Sequence, residues 1–123
     1  MSSPTDDPWP GDWNRASLGL CTLAALQDGP TYGYAIITAL EIAGLGTFKG
    51  GTLYPLLARF EAAGWVEVEW RPGEGGPGRK YFSLTAAGHA ELDRQRRQWT
   101  AFTTRTSAFL GGPAFSPRQV SIP

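Results

Sequence analysis

The chain has 123 residues, 41% of them hydrophobic, and no formal net charge. That length suits one globular domain, and neutrality argues against a polycation that coats nucleic acid or acidic membrane indiscriminately. One cysteine, Cys21, excludes an internal disulfide framework, and no apolar run approaches the roughly 18 residues of a membrane span.

The zero net charge is unevenly spread. Asp6, Asp7 and Asp12 lie in the first dozen residues with no Lys or Arg beside them, so the remainder carries eleven basic against eight acidic residues. The acidic front, without an apolar run, does not read as a signal peptide, and a soluble cytoplasmic protein without a membrane partner is expected. Residues 1–13 are rich in Pro and polar side chains and read as an irregular arm. Trp9 and Trp13 are out of place in a solvated tail, so the arm is expected to dock at its end.

Leu18, Cys21, Leu23 and Leu26 set a helix from Asn14, a plausible cap, to Gln27. Asp28-Gly29-Pro30 ends it. A second helix is expected after Thr31, again a good cap, running to Ala43. Gly33 in its first turn costs about 1 kcal/mol relative to Ala, which points to close approach by a neighbouring helix. The third helix takes "TLYPLLARFEAAG", with Leu53, Leu56, Leu57 and Phe60 as the buried stripe and Gly64 as the stop. Its start is open, and Pro55 is expected in its first turn.

Two alternating strands follow. Val66, Val68 and Trp70 share one face of the first; Lys80, Phe82 and Leu84 share one face of the second. "PGEGGPG" between them reads as a long hairpin loop. Thr85 caps a last helix that ends at Leu110, before Gly111-Gly112-Pro113. Leu92, Gln95, Trp99, Phe102, Thr106 and Phe109 recur along it at alternating steps of three and four, a heptad-like seam. Residues 111–123 read as a loose tail.

Three helices and a hairpin over residues 14–84 follow the order of a winged helix-turn-helix, the alternative being a small α+β domain with no nucleic-acid role. The expected fold is therefore mainly α with a small β-hairpin, followed by a dimerisation helix over 85–110. The third helix would enter the DNA major groove and the hairpin would be the wing. Lys49, Thr52, Tyr54 and Arg59 around that helix, and Arg71, Arg79 and Lys80 on the wing, are the candidate contacts, because phosphates require cations and hydroxyls fix register. For Tyr54 the alternative is packing against the wing; Glu67, Glu69 and Glu74 are unfavourable near phosphates.

"LCTLAALQDGPTYGYAI", "GTLYPLLARFEAAGWVE" and "GRKYFSLTAAG" occur here in the order and spacing of the PadR family of bacterial transcriptional regulators, which the chain resembles from Leu18 to Phe109. A single C-terminal helix looks like the short subfamily. The resemblance implies a homodimeric repressor on promoter DNA, released by a small-molecule effector. It places a planar aromatic ligand between Trp99 and its symmetry mate, with Phe102, Asp93 and Arg96 nearby and Trp13 able to cap the same space. Leu92, Trp99, Phe102 and Phe109 would join the two subunits; a seam closed without a cavity is the alternative. The chain departs from the family at Lys49 and Gly50, which stand where a Ser-type cap is usual.

Catalysis has no foothold. His89 and Cys21 are single and far apart in sequence, no ligand spacing for a metal occurs, and no cofactor is implied. The rival class is a winged-helix dimer that has lost DNA binding and holds a ligand or a protein.

Overall fold

In a computed structural model of the chain, which describes residues 9–73 and 75–111, the first helix begins ahead of its expected cap. The arm up to Pro8, Glu74 of the wing and the tail from Gly112, including its Gly-Pro stop, lie outside the described residues. Helix α1 spans Gly11–Ala25 with Pro10 at its N-cap. The Pro10 carbonyl accepts the N–H groups of Trp13 and Asn14 at 3.0 and 3.3 Å. Only a carbonyl is needed at that place, so proline, with no N–H to strand, serves it. Asn14 is therefore not the cap; it is buried inside the helix. Gly11, Asp12 and Trp13 are helical rather than part of an arm, and Asp12 pairs with Arg15 on the surface.

Thr31 does not cap the second helix either. With Tyr32 it forms a two-residue strand, β1, in which Thr31 faces Phe82 and Tyr32 faces Tyr81. Helix α2, Gly33–Ile42, starts after an extended Tyr32 with no side-chain cap. A Cβ on Gly33 would stand 2.3 Å from Tyr54 Oη and 2.5 Å from Tyr54 Cζ. The close approach expected at Gly33 is thus a tyrosine ring from the next helix.

Helix α3 is Gly50–Ala62, with Lys49 at an uncapped N-cap position. Leu53, Leu56, Leu57 and Phe60 are buried, as their spacing requires. Pro55 is the helix's sixth residue, one turn later than expected. It has no N–H for the carbonyl of Gly51, a residue that is itself exposed to solvent.

Strands β2 (Val66–Gly73) and β3 (Gly76–Leu84) pair antiparallel, and the sheet order is β1-β3-β2. Most of the expected long loop is strand, with Gly73 opposite Gly76. The ladder is irregular between Arg71 and Gly73, where Pro72 cannot donate a hydrogen bond. Val66–Leu84, Val68–Phe82 and Trp70–Lys80 oppose one another on one face; Glu67–Ser83, Glu69–Tyr81 and Arg71–Arg79 on the other.

Helix α4 runs Ala86–Phe109, about 36 Å at 1.5 Å per residue. Thr85 is its cap: the Gly88 N–H donates to Thr85 Oγ1 at 3.0 Å, and that hydroxyl donates to the Gly64 carbonyl at 2.6 Å. The chain forms two units that divide between Leu92 and Asp93. The first holds one apolar core: Leu18, Leu23 and Leu26 at the first helix, Ile36 and Leu40 of α2, the α3 stripe, Val66, Phe82, Leu84 and Leu92. The described part of the second is the rest of α4. Among the described residues no helix is long and apolar enough to cross a membrane.

Candidate nucleic-acid interface

An open cleft of about 450 Å³ lies between the wing, β1 and the first turns of α2 and α3. Tyr32, Tyr34, Tyr54, Trp70, Gly78, Arg79 and Lys80 line it. Three of the seven residues expected at DNA, Tyr54, Arg79 and Lys80, are brought together there. The other four are placed elsewhere. Lys49, Thr52 and Arg59 are exposed around α3. Arg71 opposes Arg79 on the wing but does not line the cleft.

Local geometry explains Tyr54. At 100° per residue, the buried stripe of α3 is flanked by Thr52 and Arg59 on one side and Tyr54 on the other. The outermost positions between those flanks are Gly51, Pro55, Ala58 and Ala62. Tyr54 leans over Gly33 and its ring meets Phe82 at 6.3 Å, yet it stays 46% exposed. It both packs on the wing, the alternative raised by sequence, and keeps a face toward the cleft. The residues at the outermost positions are small, which leaves the α3 backbone close to the surface there.

The wing cations rest on aromatic rings. The Arg71 guanidinium lies 4.5 Å from the Tyr81 centroid, Arg79 lies 4.5 Å from Tyr32, and the Lys80 ammonium lies 5.5 Å from Phe82. Each contact is worth about 0.5–1 kcal/mol at an exposed site. They fix the direction of side chains that would otherwise wander. Arg71 also meets Glu69 at 3.4 Å, an exposed pair worth little in energy. The carboxylate nonetheless answers that guanidinium, whereas Arg79 and Lys80 face the cleft. Arg71 and Arg79 stand directly opposite in the ladder, a like-charge pair of the kind that destabilises a sheet.

Sequence reasoning missed Tyr32, Tyr34 and Trp70. Tyr34 opens α2 and is 70% exposed, which its helical spacing beside Ile37 and Leu40 concealed. For Trp70 a signal existed: strand alternation puts it on the Val66 face, but the strand outruns the domain body there.

The expected ligand residues on α4 form a separate set. The Trp99 and Phe102 rings meet at 6.1 Å and are 37% and 61% exposed; Phe109 is 73% exposed. Asp93 is paired with Arg97, and Arg96 is exposed. Trp13, in the first unit, is exposed as well. Leu92, expected in the intersubunit seam, is instead buried at 3% in the protomer's own core, which leaves Trp99, Phe102 and Phe109 as the exposed apolar part. Trp9 does dock: its indole N–H donates to the Gly44 carbonyl at 2.9 Å, at the end of α2. Burial pushes the Cys21 thiol above its ordinary pKa, so it stays protonated and behaves as a small hydrophobe. Among the described residues no group of His, Cys, Asp and Glu could hold a metal ion.

Comparison with known proteins agrees with this geometry. A PadR family transcriptional regulator from Eggerthella lenta is 31% identical, with a TM-score of 0.73 over 81% of this chain and 87% of that one. Bacillus subtilis PadR, solved in complex with operator DNA, shares the fold at 22% identity and a TM-score of 0.58, over 63% of this chain and 44% of its own. An uncharacterized 37.1 kDa protein in transposon TN4556 of Streptomyces fradiae is 37% identical over 86 residues, 70% of this chain. The chain spans about a quarter of that longer relative (24%). Residues 22–94, from α1 into α4, match the family described as the transcriptional regulator PadR-like family. With its winged helix-turn-helix and long C-terminal helix, the chain belongs to the PadR-like family of transcriptional regulators.

Proposed function

We propose that the chain acts as a homodimeric repressor. It holds a near-palindromic promoter site through α3 and the wing, and a small planar aromatic effector beside Trp99 releases it. The observation that carries the reading is the cleft in which Tyr54, Arg79 and Lys80 converge between α3 and the wing. Membership of a family with one member solved on operator DNA supports duplex DNA as the ligand. The exposed aromatic face of α4 supports self-association: burying Trp99, Phe102 and Phe109 on two chains yields roughly 9–18 kcal/mol gross. Association costs about 4–15 kcal/mol, so that face is sufficient when further area joins it. A two-fold dimer would set two copies of α3 into successive major grooves about 34–36 Å apart. Light scattering at micromolar concentration is expected to give twice the 13.3 kDa chain mass; a monomer would remove both the paired half-sites and the effector seat.

Fluorescence anisotropy on a labelled fragment from the gene's upstream region, beside a scrambled fragment, tests the DNA reading. Binding should be tighter to the native fragment and weaken with salt. Arg79→Ala and Lys80→Ala should each reduce the slope of log K against log salt by about 0.9, the loss of one phosphate contact. Unchanged slopes would remove the wing from the mechanism. Equal, weak binding to both fragments would either place the operator elsewhere or favour a dimer that holds a ligand or a protein instead.

A further inference from the structure

The face of β2 that begins in the core ends in solvent. Val66 is 2% exposed, Val68 is half-buried, and Trp70 is 69% exposed. Trp70 opposes Lys80, and its ring lies over the strand at Gly78, an ordinary van der Waals distance of 3.8 Å from where a Cβ there would be. A Cβ at 78 would also come within 3.0 Å of the Arg71 carbonyl. Trp70 lines the cleft with Tyr34, Tyr54 and Lys80, which shares its sheet face, and with Arg79 from the other face.

Two kinds of wall imply an occupant with two kinds of surface. Cations alone would suit a phosphate. Aromatic walls beside them suit an occupant whose anionic groups alternate with apolar ones, and a sugar-phosphate strand has that pattern. Rings in such a cleft meet deoxyribose, while the cations and tyrosine hydroxyls meet phosphate oxygens. We propose that Trp70 is a contact residue for duplex DNA: its indole packs on a deoxyribose of the strand whose phosphates Arg79 and Lys80 hold. This rests on the DNA-binding reading above. It adds an apolar, salt-independent contribution to a wing otherwise argued from charge. Being addressed to sugar, the contact strengthens binding to every sequence alike.

The test uses the full chain and a 30-base-pair duplex recovered by selection with wild-type protein from a random library. Trp70→Ala should weaken binding to that duplex and to a scrambled one by a similar factor, roughly tenfold to a hundredfold, as loss of one buried aromatic surface implies. It should leave the salt slope unchanged, where Lys80→Ala lowers it. Trp70→Phe should recover most of the affinity. Because Trp70 is exposed, Trp70→Ala should keep the wild-type unfolding midpoint. A second readout needs no deletion: with 5-fluorotryptophan incorporated, the fluorine resonance absent from Trp70→Phe should shift when duplex is added. Undiminished affinity in Trp70→Ala, or an unmoved resonance while wild type binds, overturns this proposal alone. Wild type that enriches no duplex overturns it together with the DNA-binding reading.

Discussion

Gly88→Ala is expected to lower the thermal unfolding midpoint by at least roughly 8 °C. A Cβ at 88 would stand 2.0 Å from the Trp65 carbonyl oxygen, 2.9 Å from its carbon and 3.1 Å from Leu84 Cδ2. The first two are backbone and cannot rotate away. That carbonyl is also engaged, accepting the Thr85 N–H at 3.0 Å. Thr85 in turn bonds the Gly64 carbonyl and the Gly88 N–H. One methyl therefore strikes the knot that ties the end of α3 to the start of α4. Relief requires the helix start to withdraw, which strands the cap and loosens Leu92, buried one turn later. Overpacking costs about 1–3 kcal/mol and a lost cap about 1 kcal/mol. Each kcal/mol moves the midpoint of a domain this size by about 4–8 °C. The melt is to be followed by circular dichroism at one fixed protein concentration, because a dimer's midpoint depends on it. Gly51→Ala is the control. It is a helical glycine whose Cβ would meet nothing within 4 Å, so a gain of up to about 1 kcal/mol is expected. A Gly88→Ala midpoint within 2 °C of wild type would mean that the contact relaxes freely.

The glycines also show which parts of this fold can be read without coordinates. Gly33 was legible because a glycine in a helix's first turn carries a cost that some contact must offset. Its partner was not, since no local pattern says which residue arrives from 21 positions away. The α3 stripe was legible because Leu53, Leu56, Leu57 and Phe60 repeat at the helical period. The two-residue β1 was not: it is too short to alternate, and its hydrogen bonds are made with β3. Two of the three N-cap expectations, Asn14 and Thr31, failed for related reasons, whereas Thr85 does cap α4. Pro10 supplied the carbonyl that starts α1 earlier, and Thr31 was claimed by the sheet. In the candidate interface, charge and resemblance together marked Tyr54, Arg79 and Lys80. Trp70 escaped because alternation tells which face a residue is on, not where along the strand that face leaves the core.

Gly33→Ala should separate helix stability from DNA binding. In an ordinary helix the substitution stabilises by about 1 kcal/mol. Here the new methyl occupies the space of the Tyr54 ring, with Oη, Cζ and Cε1 all within 2.9 Å of its position. Tyr54 is 46% exposed, so unlike the Trp65 backbone it has somewhere to go. The ring should swing outward, giving up its packing on Gly33 and Phe82, and the gain in propensity should offset much of that loss. The unfolding midpoint should then stay within about 5 °C of wild type, a shift of about 1 kcal/mol. Affinity for the selected duplex should fall by roughly tenfold, because a hydroxyl held against a phosphate contributes about 1.5 kcal/mol when its partner is charged. Tyr54→Phe separates ring from hydroxyl: if the hydroxyl is the contact, it should weaken binding by a similar factor and leave stability unchanged. Adding Gly33→Ala to Tyr54→Ala should then cost no further affinity, since the residue it displaces is already gone. Full affinity in Gly33→Ala, with the ring demonstrably moved, would assign Tyr54 to packing alone and leave the cleft to its cations and Trp70.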